Sequence, residues 1–350
     1  MFCMKMTRII GWRFRVIRLF FMALSPVVPL SAYGATYYVA KTGRDMYDCM
    51  QAQSLQTSKV TIAAGLACMA AGDTLIIKSG IYNEYITYNQ LVSGTSDSNR
   101  TIIKAYPGDT VILRPTGGTL DASGSLLGDV IWVHGKQYIT FDGLVVDAIN
   151  AAGAPFFAND QGSTWSSFVT VQNSVLMNSR SSNCITVQPG NNFHIINNKI
   201  HNCGQKHLEH GIYLRGSRHL IERNEIYNIS GYGVHFYSEF RSDDNIVRYN
   251  YIHDNGEWGI LIGSGSNNIA QSNIVRNNGN KSSAGGIFIG YYSTHNNQAY
   301  NNIIEKNTGI CVNIGPTSKA ARVYDNECTQ NGIDTVIDKG IGSFVRQRRR

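Results

Sequence analysis

The sequence predicts an all-β solenoid, a parallel β-helix of roughly ten coils closed by a short N-terminal capping helix. Three observations carry this. An asparagine recurs in one column at Asn173, Asn198, Asn224, Asn250, Asn273, Asn302 and Asn326, with spacings of 25, 26, 26, 23, 29 and 24, and Gly143 of YITFDGLVVDA stands in the same frame. Each repeat carries a second short apolar run, at 185–187, 212–214, 234–236, 260–262, 287–289 and 310–312, five of them preceded by glycine. Within each run the outer residues are apolar and the middle one varies, the period-two pattern of a strand with one face inside. One such coil cannot bury its apolar side alone, whereas stacked coils bury a continuous core. An in-register asparagine column then bonds coil to coil.

The remaining elements follow in order. Residues 1–34 read as a secretory signal: basic residues to Arg18, about a dozen apolar residues from Leu19 to Leu30, then Ala32-Tyr33-Gly34 as a small-x-small cleavage site. No later segment is apolar enough to span a membrane, so no span is expected after cleavage. Residues 35–128 read as the cap and first coils, with a helix at 61–71 and strands at 75–78, 101–105, 111–114 and 130–134. Residues 129–338 are the repeats, and 339–350 a basic tail.

The formal charge of +7 comes from the signal segment and the terminal arginines. The body is near neutral, which argues against a nucleic-acid partner. Six cysteines remain after signal removal, an even number suited to an oxidising compartment. Cys49–Cys68 should staple the cap, and Cys184–Cys203 lie one coil apart. Alternation turns Cys311 outward and puts Cys328 in the inward column of Ile200, Ile226 and Ile252, so no bridge is expected there. No CxxC occurs to suggest zinc.

The Asn-x-Ile repeat resembles the right-handed parallel β-helix proteins of the pectate-lyase-like group. ATYYVAKTGRD (35–45) and AAGDTLIIKSGIYNEYI (70–86) are similar to the N-terminal region of secreted members. The resemblance covers 35 to about 338 and implies fold and an extracellular or cell-wall polysaccharide partner. The group hosts lyases, hydrolases, epimerases, depolymerases and adhesins. The Asp-Pro-His of alginate epimerases, the Gly-His-Gly of polygalacturonases and the Arg-x-Pro-x-x-Arg of pectate lyases are absent.

Outward residues of stacked strands make a ladder on one face. Two successive coils place His210, Tyr213, Arg215, Tyr232, His235 and Tyr237 together, between enlarged loops at 204–209 and 237–244. The loops add Lys206, His207, Glu209, Glu239, Arg241, Asp243 and Asp244, and Trp258, Leu261 and Phe288 stand beside the patch. These types suit removal of the C5 proton of a uronate. Arg215 or Lys206 would neutralise the carboxylate, His210 or His235 act as base, and Tyr213 or Tyr237 as acid, with Tyr232 and Trp258 binding sugar. A polysaccharide lyase or C5-epimerase is therefore expected. The alternatives are a non-catalytic binding or surface-structural rod, and a glycoside hydrolase using carboxylates among Glu209, Glu239, Asp243 and Asp244. Scattered Asp and Asn oxygens leave room for Ca²⁺ without a spaced acidic loop to specify it, and no other cofactor is called for.

Overall fold

The computed structural model describes residues 34–117, 128–237 and 242–347, so the expected signal segment, Glu239, Arg241 and the last three arginines lie outside the described residues. Its regular secondary structure is nearly all strand, wound as a parallel solenoid whose third face is a sheet of ten strands. One coil shows the pattern. Ile212–Ser217 lies on the first face, Leu220–Glu222 on the second and Glu225–Tyr227 on the third. The next coil repeats them as Val234–Phe236, Ile246–Arg248 and Tyr251–His253, each parallel and in register.

The corners explain the asparagines. Each coil turns at non-glycine residues in the left-handed region, for example Arg218, Arg223 and Asn228 at φ 60°, 55° and 52°. Such a conformation costs an ordinary residue about 1–2 kcal/mol, and asparagine tolerates it best. The residue after each corner offsets the cost. Asn224 donates its backbone N–H and its Nδ2 to Asn250 Oδ1 at 2.9 and 3.0 Å, and Asn250 does the same to Asn273 at 3.0 Å each. The ladder runs from Asn198 to Asn326, all of it buried.

Asn173 and Gly143 are not in this ladder. Both occupy the left-handed corner itself, at φ 51° and 72°. Ser174 takes the ladder position and donates its N–H to Asn198 Oδ1. The paired strands here are offset by 24 residues, as Thr170 opposite His194 shows, one fewer than the sequence alignment assumes. Two further ladders, Asn245–Asn268–Asn297 and Asn255–Asn278–Asn307–Asn331, run along the other two corners.

Inward columns such as Ile185, Ile212, Val234, Ile260 and Ile287 are fully buried and form the core. The capping helix is shorter than expected, Ile62–Leu66. Thr61 caps it through Ala64 N–H, and the Glu84 carboxylate accepts from Ile62 and Ala63. After Leu66 the chain tightens into i→i+3 bonds at Cys68 and Met69, where Cys68 bridges Cys49. Cys184 and Cys203 are also bridged, with Cα atoms 5.5 Å apart.

The last coil corrects the expectation for Cys311 and Cys328, which are bridged with Cα atoms 5.8 Å apart. Register shifts between Ile310 and Val312. Val312 rather than Ile310 then pairs with Ile287, and Asn313 rather than Cys311 takes the column of Phe288. Cys311 turns inward and meets Cys328. The expected basic tail also begins as structure: Phe344–Arg346 pairs with Arg322–Tyr324, and Arg346 meets Asp325 at 2.5 Å.

Candidate active site

The first face carries the site because its strands end in bends that swing loops over the sheet. The outward column runs Thr186, Tyr213, His235, Leu261 and Phe288, opposite one another coil after coil. A pocket of about 340 Å³ lies over it, lined by Asn183, Gln188, Leu208, His210, Tyr213, Tyr232, His235, Tyr237, Leu261 and Tyr291.

Two imidazoles form its floor. His210 and His235 meet edge to face with ring centroids 4.6 Å apart. Tyr232 lies 4.8 and 4.9 Å from them, while Tyr213 and Tyr237 lie 5.3 and 5.0 Å from His235. His235 is 5% exposed. It leaves the core outward, as alternation requires, but the tyrosines cover it, so an outward position here is not an exposed one. Among the described residues both of its ring nitrogens are buried without a hydrogen bond, an arrangement that structures avoid unless it serves a purpose. Gly263 lets the next coil approach this strand, since a Cβ there would stand 2.8 Å from the Phe236 carbonyl oxygen.

Hydrogen bonding separates the two histidines. His210 Nδ1 accepts from the Tyr232 backbone N–H at 3.2 Å, so the neutral ring carries its proton on Nε2 and acts as a donor. His235 has no such assignment and keeps one lone pair free. Burial pushes His210 down to about 3 and His235 well below the ordinary histidine value, because the apolar surroundings disfavour the charged ring. The phenols move the other way. Burial raises Tyr213, and lifts Tyr232 to about 12. Tyr237 reaches about 12 first through its bond to the Tyr292 hydroxyl at 2.5 Å. At neutral pH the site thus holds uncharged bases beside protonated phenols.

The other expected residues are distributed unevenly. Arg215 follows Tyr213 on the same side of its strand and is close enough for its charge to act on that phenol, although it is not part of the lining. Lys206 is exposed, and its loop contributes Leu208 to the pocket instead. Trp258 packs on Phe288, centroids 5.3 Å apart, next to the pocket rather than in it. Of the hydrolase carboxylates, Glu239 lies outside the described residues and the other three are engaged elsewhere. Glu209 accepts from the N–H groups of Gln205 and Lys206, Asp243 from Ser266 N–H and Asp244 from Asn267. No carboxylate is among the described lining residues, and no cluster of three or more His, Cys, Asp or Glu is placed to hold a metal among the described residues. Sequence reasoning missed Tyr291 and Tyr292. They follow Gly290, which the register puts in the position of Tyr237 after Val234–Phe236, so the column itself gave no signal for them.

Acid should destabilise the fold through these rings. His210, His235 and the fully buried His219, also lowered to about 3, resist protonation when folded, whereas the unfolded chain binds protons below about 6.5. Stability is fully present above that value and falls as pH drops, by up to about 1.4 kcal/mol per pH unit for each ring. Thermal melts should show Tm declining from about pH 6.5 downward. A flat Tm to about pH 4.5 would mean that the rings are hydrated.

Residues 183–344 match the family model described as the right handed beta helix region. Among solved structures, the chain is similar to XylC in complex with xylose (TM-score 0.57, 15% identity, covering 85% of this chain and 69% of that one). It is also similar to pectate lyase Pel9A (0.58, 16%, 87% and 78%). The third is an alginate lyase from Paenibacillus sp. str. FPU-7 (0.56, 14%, 77% and 93%). At these identities the likeness is one of fold. No curated protein matches the sequence.

Proposed function

We propose that this right-handed parallel β-helix protein is a secreted enzyme that removes the C5 proton of a uronate unit in an acidic polysaccharide, as a lyase or a C5-epimerase. The observation that carries the reading is His235, buried with both ring nitrogens unpartnered among the described residues, inside a cage of phenols whose described lining holds no carboxylate. The three disulfides fit an oxidising compartment, and no helix among the described residues is long and apolar enough to cross a membrane. The carbohydrate chemistry of the structural neighbours supports the substrate class.

The steps follow from the groups present. Arg215 and the His210 Nε2–H hold the substrate carboxylate, which lets charge spread from C5 as its proton leaves. His235 takes that proton. Burial lowers its basicity, and a uronate anion entering beside it raises it. For elimination, the C5–H electrons become the C4–C5 double bond, the C4–O bond breaks, and the leaving oxygen takes the Tyr213 or Tyr237 proton. For epimerisation, a phenol returns a proton to the opposite face of C5. A purely binding role is the second reading, favoured by the Trp258–Phe288 pair.

Incubation with polygalacturonate, alginate and neutral xylan, reading unsaturated uronate ends together with reducing ends, separates the outcomes. Unsaturated ends from an acidic polymer are the expected result for a lyase, and altered C5 stereochemistry without cleavage the expected result for an epimerase. New reducing ends without unsaturation would make the protein a hydrolase.

A further inference from the structure

The first face extends well beyond the pocket toward the N-terminus. Its outward column continues from Thr186 to Phe157 and Trp132, opposite one another on successive coils, and a parallel column continues through Asn159 to His134. Trp132 and His134 alternate on one strand, Ile131–His134. Tyr88 stands over both, edge to face, with centroids 4.7 and 4.8 Å away. All three rings are partly exposed.

A single side chain fixes this corner. Asn159 Oδ1 accepts from Trp132 Nε1–H at 2.9 Å and lies 2.9 Å from His134 Nδ1. Indole nitrogen only donates, so the shared atom is the amide oxygen and His134 Nδ1 must carry a proton. In the neutral ring Nε2 is then an acceptor, and no hydrogen bond to it is present among the described residues. Two rings at 72° with an acceptor between them form an amphipathic corner: apolar faces for the C–H side of a pyranose, and an edge for its hydroxyls.

We propose that Tyr88, Trp132 and His134, held by Asn159, are a remote saccharide subsite of the same enzyme, which grips the polymer while the pocket acts on it. The proposal rests on the polysaccharide reading of the pocket. Trp132 is three coils from Tyr213, about 14 Å at the strand spacing of about 4.8 Å. That spacing is close to the length of one pyranose in an extended chain, so three units would bridge the interval along Phe157 and Thr186. The subsite therefore takes chains longer than those that fill the pocket alone.

Calorimetric titration of wild type, Trp132→Ala and Tyr88→Ala with dimers and hexamers of galacturonate, mannuronate, guluronate and xylose tests this. At least one hexamer should bind wild type about ten-fold or more tighter than its dimer, and both variants should lose about that factor while dimer binding is unchanged. Tyr88 comes from a loop, which guards against a fold defect in the Trp132 variant. Equal hexamer affinity in wild type and both variants, or no hexamer advantage in wild type, would overturn the subsite. Hexamer binding that depends on Trp132 but gives no C5 chemistry would support the subsite and refute the lyase or epimerase reading. Turnover of hexamers that bind independently of Trp132 would do the reverse.

Discussion

His235→Gln is expected to lower turnover on the responsive uronate polymer by about 10²–10⁴-fold, the usual contribution of a positioned base. Glutamine fills nearly the same volume but cannot accept a proton at working pH. The effect should fall on kcat, because the proposed mechanism leaves carboxylate binding to Arg215 and His210. Alanine is the poorer probe. His235 is 5% exposed and ringed by Tyr213, Tyr232 and Tyr237, so truncation leaves a cavity and costs stability as well. Tyr213→Phe keeps the ring and removes the proton, and should slow elimination with little change in Tm. Wild-type turnover in the His235→Gln variant would remove the ring from the mechanism.

Asn250→Ala is expected to destabilise the fold by about 2–6 kcal/mol, since it strands two buried donors at about 1–3 kcal/mol each. Those donors are the Asn224 backbone N–H and Nδ2, both now bonded to Asn250 Oδ1. The substitution also strips Ile221 O and Asn273 Oδ1 of an amide donor. Asn280→Ala supplies the control. Asn280 is exposed and outside every ladder, and its loss should change stability by no more than about 0.5 kcal/mol. Denaturant unfolding of both variants separates the two cases, and equal midpoints would mean that the amide ladder contributes nothing net.

Much of this was legible from periodicity alone, because stacking imposes a repeat on any chain that adopts it. The inward columns and the ladder from Asn198 to Asn326 follow directly from the spacing. Errors arose where a residue was gained or lost locally. The 24-residue offset moved Asn173 from the ladder to the corner, and the register shift after Ile310 turned Cys311 inward. Neither leaves a mark on a pattern of apolar outer positions. The patch of His210, Tyr213, His235 and Tyr237 was legible because it lies on two consecutive coils. The burial of that patch was not, since alternation reports only direction. What covers an outward side chain depends on rings flanking the strand and on the neighbouring coil, here Tyr232 and Tyr237 beside His235 and Tyr213 one coil before it. The split roles of the two histidines depend on one backbone N–H, that of Tyr232, which no side-chain pattern encodes.

Removal of a C5 proton in the pocket is read by solvent exchange whether the outcome is cleavage or inversion. A uronate polymer that binds the protein should be incubated with it in D₂O, with C5 followed by NMR. The expected result is deuterium at C5 or loss of the C5 proton to a double bond, both abolished in His235→Gln. A bound polymer that keeps every C5 proton would contradict it.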